Sequence, residues 1–90
     1  MNMTTATNNA LQSLKDMQQS IESWEERWMV VSTAGGSTEK IDSEIDRLLA
    51  IRHGMEMIMH SMGIKFDRKD YREVDLNGNS KIRTMWYLIK

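Results

Sequence analysis

The chain contains no cysteine and no proline among its 90 residues. Without thiols it has no disulfide, no thiolate metal site and no cysteine nucleophile. A domain this short must then be held by its packing, or by packing against further copies. Without proline, no position forbids a helix from continuing. No apolar run approaches the roughly 20 residues needed to cross a bilayer. Residues 1–10, MNMTTATNNA, have neither the basic start nor the apolar centre of a signal peptide. These absences together lead to the expectation of a single cytoplasmic domain over residues 1–90, with no membrane contact.

Catalytic signatures are missing too. There is no Gly-x-Ser-x-Gly, no HExxH and no phosphate-cradling glycine loop. The segment STAGGST at residues 32–38 has the small residues of such a loop but no following Lys-Ser or Lys-Thr, so it reads as a linker. The expectation is a protein that is not an enzyme and carries no cofactor.

What is present is periodicity. Ala10, Leu14, Met17, Ile21, Trp24, Trp28 and Val31 alternate at spacings of four and three, a heptad stripe that predicts a helix over about residues 9–31. Asn8 or Asn9 is placed to cap it, and residues 1–8 read as a disordered tail. After the diglycine break, Ile41, Ile45, Leu48, Arg52, Met55, Met59 and Met62 form a second stripe, predicting a helix over about residues 38–62. Leu49, Ile51 and Ile58 widen it on one flank. Ser37 or Thr38 is available as its N-cap, and Gly63 stands where a C-terminal cap belongs. Residues 9–62 therefore predict an antiparallel helical hairpin, with Leu48 near Ile21, Met55 near Leu14 and Arg52 near Gln18 and Glu22.

Residues 63–90 change character. Asn77-Gly78 is a turn signal, and Ile82, Thr84, Trp86 and Leu88 alternate with period two, predicting a β-hairpin with strands over about 71–76 and 80–88. A three-residue loop with Asn79 left-handed would set Val74 opposite Ile82. The fold class expected is α+β, mainly α. The alternative is an all-α chain with short C-terminal helices capped by Asp67 and Ser80.

Three groups of residues invite a functional reading. The first is the helical seam. Two tryptophans one turn apart exceed what a two-helix hairpin encloses, so Ile21, Trp24, Trp28, Leu48, Arg52, Met55 and Met59 are expected to self-associate, a dimer making a four-helix bundle; the alternative is that the C-terminal tail covers the tryptophans as a lid. Charge adds to this: residues 1–45 carry three Lys/Arg against seven Asp/Glu, and residues 46–90 nine against six, a polarity able to steer association. The second group is the basic and aromatic tail. Arg68, Lys69, Tyr71, Arg72, Lys81 and Arg83 are expected to meet another protein. As an alternative they would bind an anionic ligand, a nucleotide or single-stranded nucleic acid, by phosphate neutralisation and base stacking.

The third group is HGMEMIMHSM, residues 53–62, which holds both histidines and four of the nine methionines. His53, Glu56 and His60 are candidate metal ligands by chemistry. On one straight helix His53 and His60 lie about 10.5 Å apart, too far to close on one ion. Methionine packing explains the stretch better, and no metal is expected. The resulting expectation is a non-catalytic inhibitor, adaptor or regulatory subunit of the kind phages and mobile elements encode as small accessory proteins.

Overall fold

The computed structural model describes residues 3–89. Two helices, α1 (Met3–Thr33) and α2 (Glu39–Ser61), are followed by two strands, β1 (Phe66–Val74) and β2 (Ser80–Leu88), paired antiparallel in a two-stranded sheet. The fold is α+β and mainly α, as the patterning predicts. The all-helical alternative for the C-terminal segment is excluded.

Helix α1 begins at Met3, so residues 3–8 form its first turns instead of a tail, and Asn8 and Asn9 are interior positions instead of caps. Residues 1 and 2 lie outside the described residues. The heptad explains the extension: Thr7 continues the Leu14 line one repeat upstream and is buried, and no glycine or proline intervenes before Gly35. At the bend the N–H groups of Ala34, Gly35 and Gly36 donate to the carbonyls of Val30, Ser32 and Val31. Thr38 holds the N-cap position of α2, but its hydroxyl donates to Asp42 Oδ2 at 3.0 Å instead of accepting from the backbone.

The other end of α2 turns the chain into its third layer. Gly63 has φ +81°, the left-handed region that a side chain resists. Its N–H donates to the His60 carbonyl at 3.0 Å, and the Ile64 N–H donates to the Met59 carbonyl at 3.1 Å. This is a Schellman closure, and its accompanying apolar contact is present, because Met59 and Ile64 belong to one buried cluster.

Strand β1 starts at Phe66, five residues earlier than the pattern predicts, and ends at Val74. Phe66 is buried at the foot of the sheet, whereas the rest of β1 is exposed, so its alternation was not readable as a half-buried strand. The register also differs from expectation. Ile82 faces Arg72, and Val74 faces Ser80. Asp75 accounts for the slip: its carboxylate accepts the N–H groups of Asn77 and Asn79 at 2.8 and 2.9 Å, closing a five-residue loop over residues 75–79. Gly78, not Asn79, takes the positive φ.

The main core comprises Leu14, Met59, Ile64, Phe66 and Trp86, flanked by Ala10, Leu11 and Met55. It therefore joins both helices to the sheet. Burying one indole removes about 200 Å² from water, worth up to roughly 5 kcal/mol at about 25 cal/mol/Å².

Candidate interaction surfaces

The heptad seam of α1 divides into two lines. Thr7, Leu14 and Ile21 are buried, while Ala10, Met17, Trp24 and Val31 are only half-covered. Of the residues expected to self-associate, Ile21, Leu48 and Met59 are buried within the chain and have no surface to offer a second copy. Met55 packs against the main core. Trp24 and Trp28 are half-buried, and the buried tail residues Ile64, Phe66 and Trp86 pack at the other end of the hairpin, with Leu14 and Met59. The Arg27 guanidinium lies over the Trp24 ring, 4.8 Å from its centroid. Trp24 and Arg27, with Val30, Val31 and Ile41, line an open depression of about 670 Å³.

Arg52 is where the two helices meet the sheet. Its Nη1 donates to Gln18 Oε1 at 2.7 Å, the pairing that the antiparallel register predicts. Its guanidinium lies 5.9 Å from the centroid of the Trp86 ring. Its Nε is buried without a hydrogen-bond partner. Burial first, and then the neighbouring Arg68 cation, push the Arg52 pKa below its ordinary value.

Glu56 supplies the opposite charge and fixes the tail. One carboxylate oxygen accepts from Trp86 Nε1 at 3.2 Å, and the other pairs with Arg68 at 3.4 Å. His60 stacks on Phe66, with ring centroids 4.2 Å apart and planes 15° from parallel. Two of the three metal candidates thus serve as anchors for the β-hairpin, and His53 is exposed. Among the described residues no three His, Cys, Asp or Glu side chains are grouped to hold a metal ion.

The cationic tail is likewise engaged. Arg83 pairs with Glu22 at 3.3 Å and with Glu73 at 2.7 Å, and Lys81 pairs with Glu26 at 3.1 Å. The negative fields of Glu22 and then Glu73 raise the Arg83 pKa above its ordinary value. The charge polarity of the sequence is therefore partly satisfied within one chain, by sheet cations against α1 acids. Of the six residues expected to meet a partner, Arg68, Lys81 and Arg83 hold the sheet to the helices or to itself, while Lys69, Tyr71 and Arg72 are exposed. Beside these ion pairs a groove of about 720 Å³ opens between α1 and the hairpin tip, and its lining includes Glu22, Glu25, Glu26, Glu73 and Asp75. An anion would meet an excess of carboxylates there.

A surface beyond the residues expected to self-associate lies on the outside of α2. Ala50, Ile51, Met57, Ile58, Ser61 and Met62 are exposed, Ile58 by 61% and Met57 by 56%. From Leu48 to Met62 the formally charged residues are Arg52 and Glu56. Both are turned toward Gln18, Trp86 and Arg68. Over this stretch the outward side of the helix thus carries apolar and small side chains with two histidines and no formal charge; before it, Asp46 and Arg47 are exposed. That signal was in the sequence, as a gap in charge instead of a motif.

Among the described residues no helix is long and apolar enough to cross a membrane. No family model, no curated protein and no solved structure matches the chain.

Proposed function

We propose that this protein is a non-catalytic interaction protein of the cytoplasm, which self-associates through the outward faces of its helical hairpin and binds another macromolecule as a small regulatory subunit, adaptor or inhibitor. The observation that carries this reading is the uncharged outer side of the second half of α2, with Ile51, Met57 and Ile58 exposed and Met62 exposed just past its end. Exposed apolar side chains scattered singly are ordinary, but a continuous patch marks a surface that meets something. Methionine there adapts its shape to a partner at little cost. On α1, Met17, Trp24 and Val31 are likewise only half-covered. Two hairpins joined across the outer side of α2 would make a four-helix bundle with a β-hairpin docked on each.

The rival reading, an anionic-ligand site on the tail, is weakened by the ion pairs that occupy Arg68, Lys81 and Arg83. Sedimentation at micromolar concentration tests the proposal. The wild type should be a dimer, and Ile58→Glu should dissociate it while circular dichroism shows the helices retained. A wild type that sediments as a monomer overturns the reading. Binding that weakens steeply with salt would instead favour a nucleic-acid partner.

A further inference from the structure

The two strands of the sheet are not equally engaged. β2 is tied to α1 through Lys81 and Arg83, whereas every residue of β1 after Phe66 is exposed. The Ile89 N–H donates to the Lys65 carbonyl, and the Asp75 N–H to the Asn79 carbonyl. Ladder bonds alternate along an antiparallel pair, so the odd-numbered residues from Lys65 to Asp75 turn their backbone groups to β2. Asp70, Arg72 and Val74 turn theirs outward, where the sheet has no third strand. β1 is nine residues long and has neither proline nor bulge to blunt that edge. Among the described residues, Lys69 and Arg72 make no ion pair.

We propose that β1 pairs antiparallel with β1 of a second copy, with Tyr71 opposite its own copy on the two-fold axis. This contact goes beyond the helical one above and does not depend on it. The axis sets residues opposite when they lie equally far before and after Tyr71. Asp70 then faces Arg72, and Lys69 faces Glu73, so the two unpaired cations each meet a carboxylate. The Asp70 N–H meets the Arg72 carbonyl, the Arg72 N–H the Asp70 carbonyl, and the Val74 N–H the Arg68 carbonyl. Charge selects this register. Tyr71 is the one uncharged residue between Asp67 and Glu73, so an axis on any other residue there sets a charge against its own copy. The ladder ends at Arg68 and Val74. The Asp67 carboxylate already accepts the Arg68 N–H at 2.8 Å, and Asp75, which would face Asp67, has left the strand and binds the N–H groups of its own loop. A short ladder flanked by exposed charges is weaker than an apolar face, so it joins chains only well above micromolar concentration.

The experiment is sedimentation at sub-millimolar concentration in full chains carrying Ile58→Glu, which removes the helical contact. These chains should dimerise. Adding Lys69→Glu or Glu73→Lys should raise the dissociation constant at least about tenfold, because like charges then face one another on both sides of the axis. Mixing the two variants should restore association, since every facing pair of the mixed dimer is again of opposite charge. Mixing Arg72→Glu with Glu73→Lys brings the same net charges together in the wrong register and should not. Tyr71→Cys supplies a second measurement that leaves Glu73 in place, since the wild-type chain has no cysteine. Oxidation should join it to its own copy, whereas Leu76→Cys at the hairpin tip should not cross-link. An Ile58→Glu chain that stays monomeric overturns the proposal and leaves the edge to a strand of another protein. Association that Lys69→Glu leaves unchanged, or that both mixtures restore equally, overturns it as well. Strand pairing in the Ile58→Glu chain, beside a wild type that is monomeric at micromolar concentration, upholds it and overturns the helical contact alone.

Discussion

At the end of the hairpin marked by Leu14 and Met59, a third layer closes the helical seam; at the end marked by Trp24 and Trp28, about 20 Å away along α1, none does. Both ends are built on one heptad repeat, so the repeat alone does not decide what is buried. The closed end is closed because Gly63 reverses the chain and Ile64, Phe66 and Trp86 follow within reach of Met59. At the other end the sheet's distal half stands off α1 across the 720 Å³ groove, touching it through Lys81 and Arg83. Apolar spacing, then, specifies a face, and connectivity decides who covers it.

The strongest way to break this contrast is Trp86→Ala. It removes the largest side chain of the closed end and leaves Glu56 without its indole donor, so about 3–5 kcal/mol should be lost in urea unfolding. Total stability for such domains is only about 5–15 kcal/mol, so the sheet should detach or the chain unfold. Trp28→Ala at the open end, measured on dissociated chains, should cost roughly 1–2 kcal/mol, because its ring is only half removed from water. Equal losses would mean that the two ends are not differently finished.

Much of this was legible beforehand. The two helices follow from heptad spacing, which names their facing sides, and the bend follows from Gly35-Gly36; the short connection then sets the antiparallel register that brings Arg52 to Gln18. Strand β2 follows from the alternation of Ile82, Thr84, Trp86 and Leu88. Its partner was harder: β1 reads Phe-Asp-Arg-Lys-Asp-Tyr-Arg-Glu-Val with only Phe66 buried, so no apolar alternation announces its first half. The register slip came from Asp75, whose side chain replaces a backbone turn; a carboxylate of that kind looks the same in sequence as a solvent-facing one. The candidate surface was missed for a related reason. Heptad positions name the side of a helix that meets its nearest neighbour, which here is the chain itself. Only the charge-free stretch around Gly54, seen once Arg52 and Glu56 had been placed inward, marks the opposite side.

A smaller effect is expected at the boundary between the two ends, where Arg52 spans from Gln18 to Trp86. A half-buried guanidinium with an unpartnered Nε is a weak source of stability, because desolvation offsets its attractions. Replacing the pair together, Gln18→Leu with Arg52→Met, should stabilise the monomer by about 1 kcal/mol, since both polar groups leave at once. Arg52→Met alone should gain less, because Gln18 is then buried without its donor. Urea midpoints of the single and double variants separate these outcomes. A destabilised double variant would show that Arg52 contributes net stability, through Trp86 and Glu56.

The smallest effect should come from salt, and it should act on one end only. Lys81 reaches Glu26 through solvent-exposed side chains, so their attraction falls as the screening length shrinks from about 10 Å at 0.1 M to about 3 Å at 1 M; Arg83 reaches the largely covered Glu22 and is screened less. Phe66 and Trp86 hold the foot of the sheet by burial, which salt does not screen. Spin labels on Met29→Cys and Leu76→Cys, straddling the groove, should therefore report a broader distance distribution at high salt. Labels on Ser13→Cys and Lys69→Cys, nearer the buried foot, should not change. If both distributions broaden together, the sheet moves as one rigid body, and the distinction between an anchored foot and a tethered tip is wrong. If neither does, the ion pairs to α1 do not position the tip, and the groove's width is set by the twist of the hairpin itself.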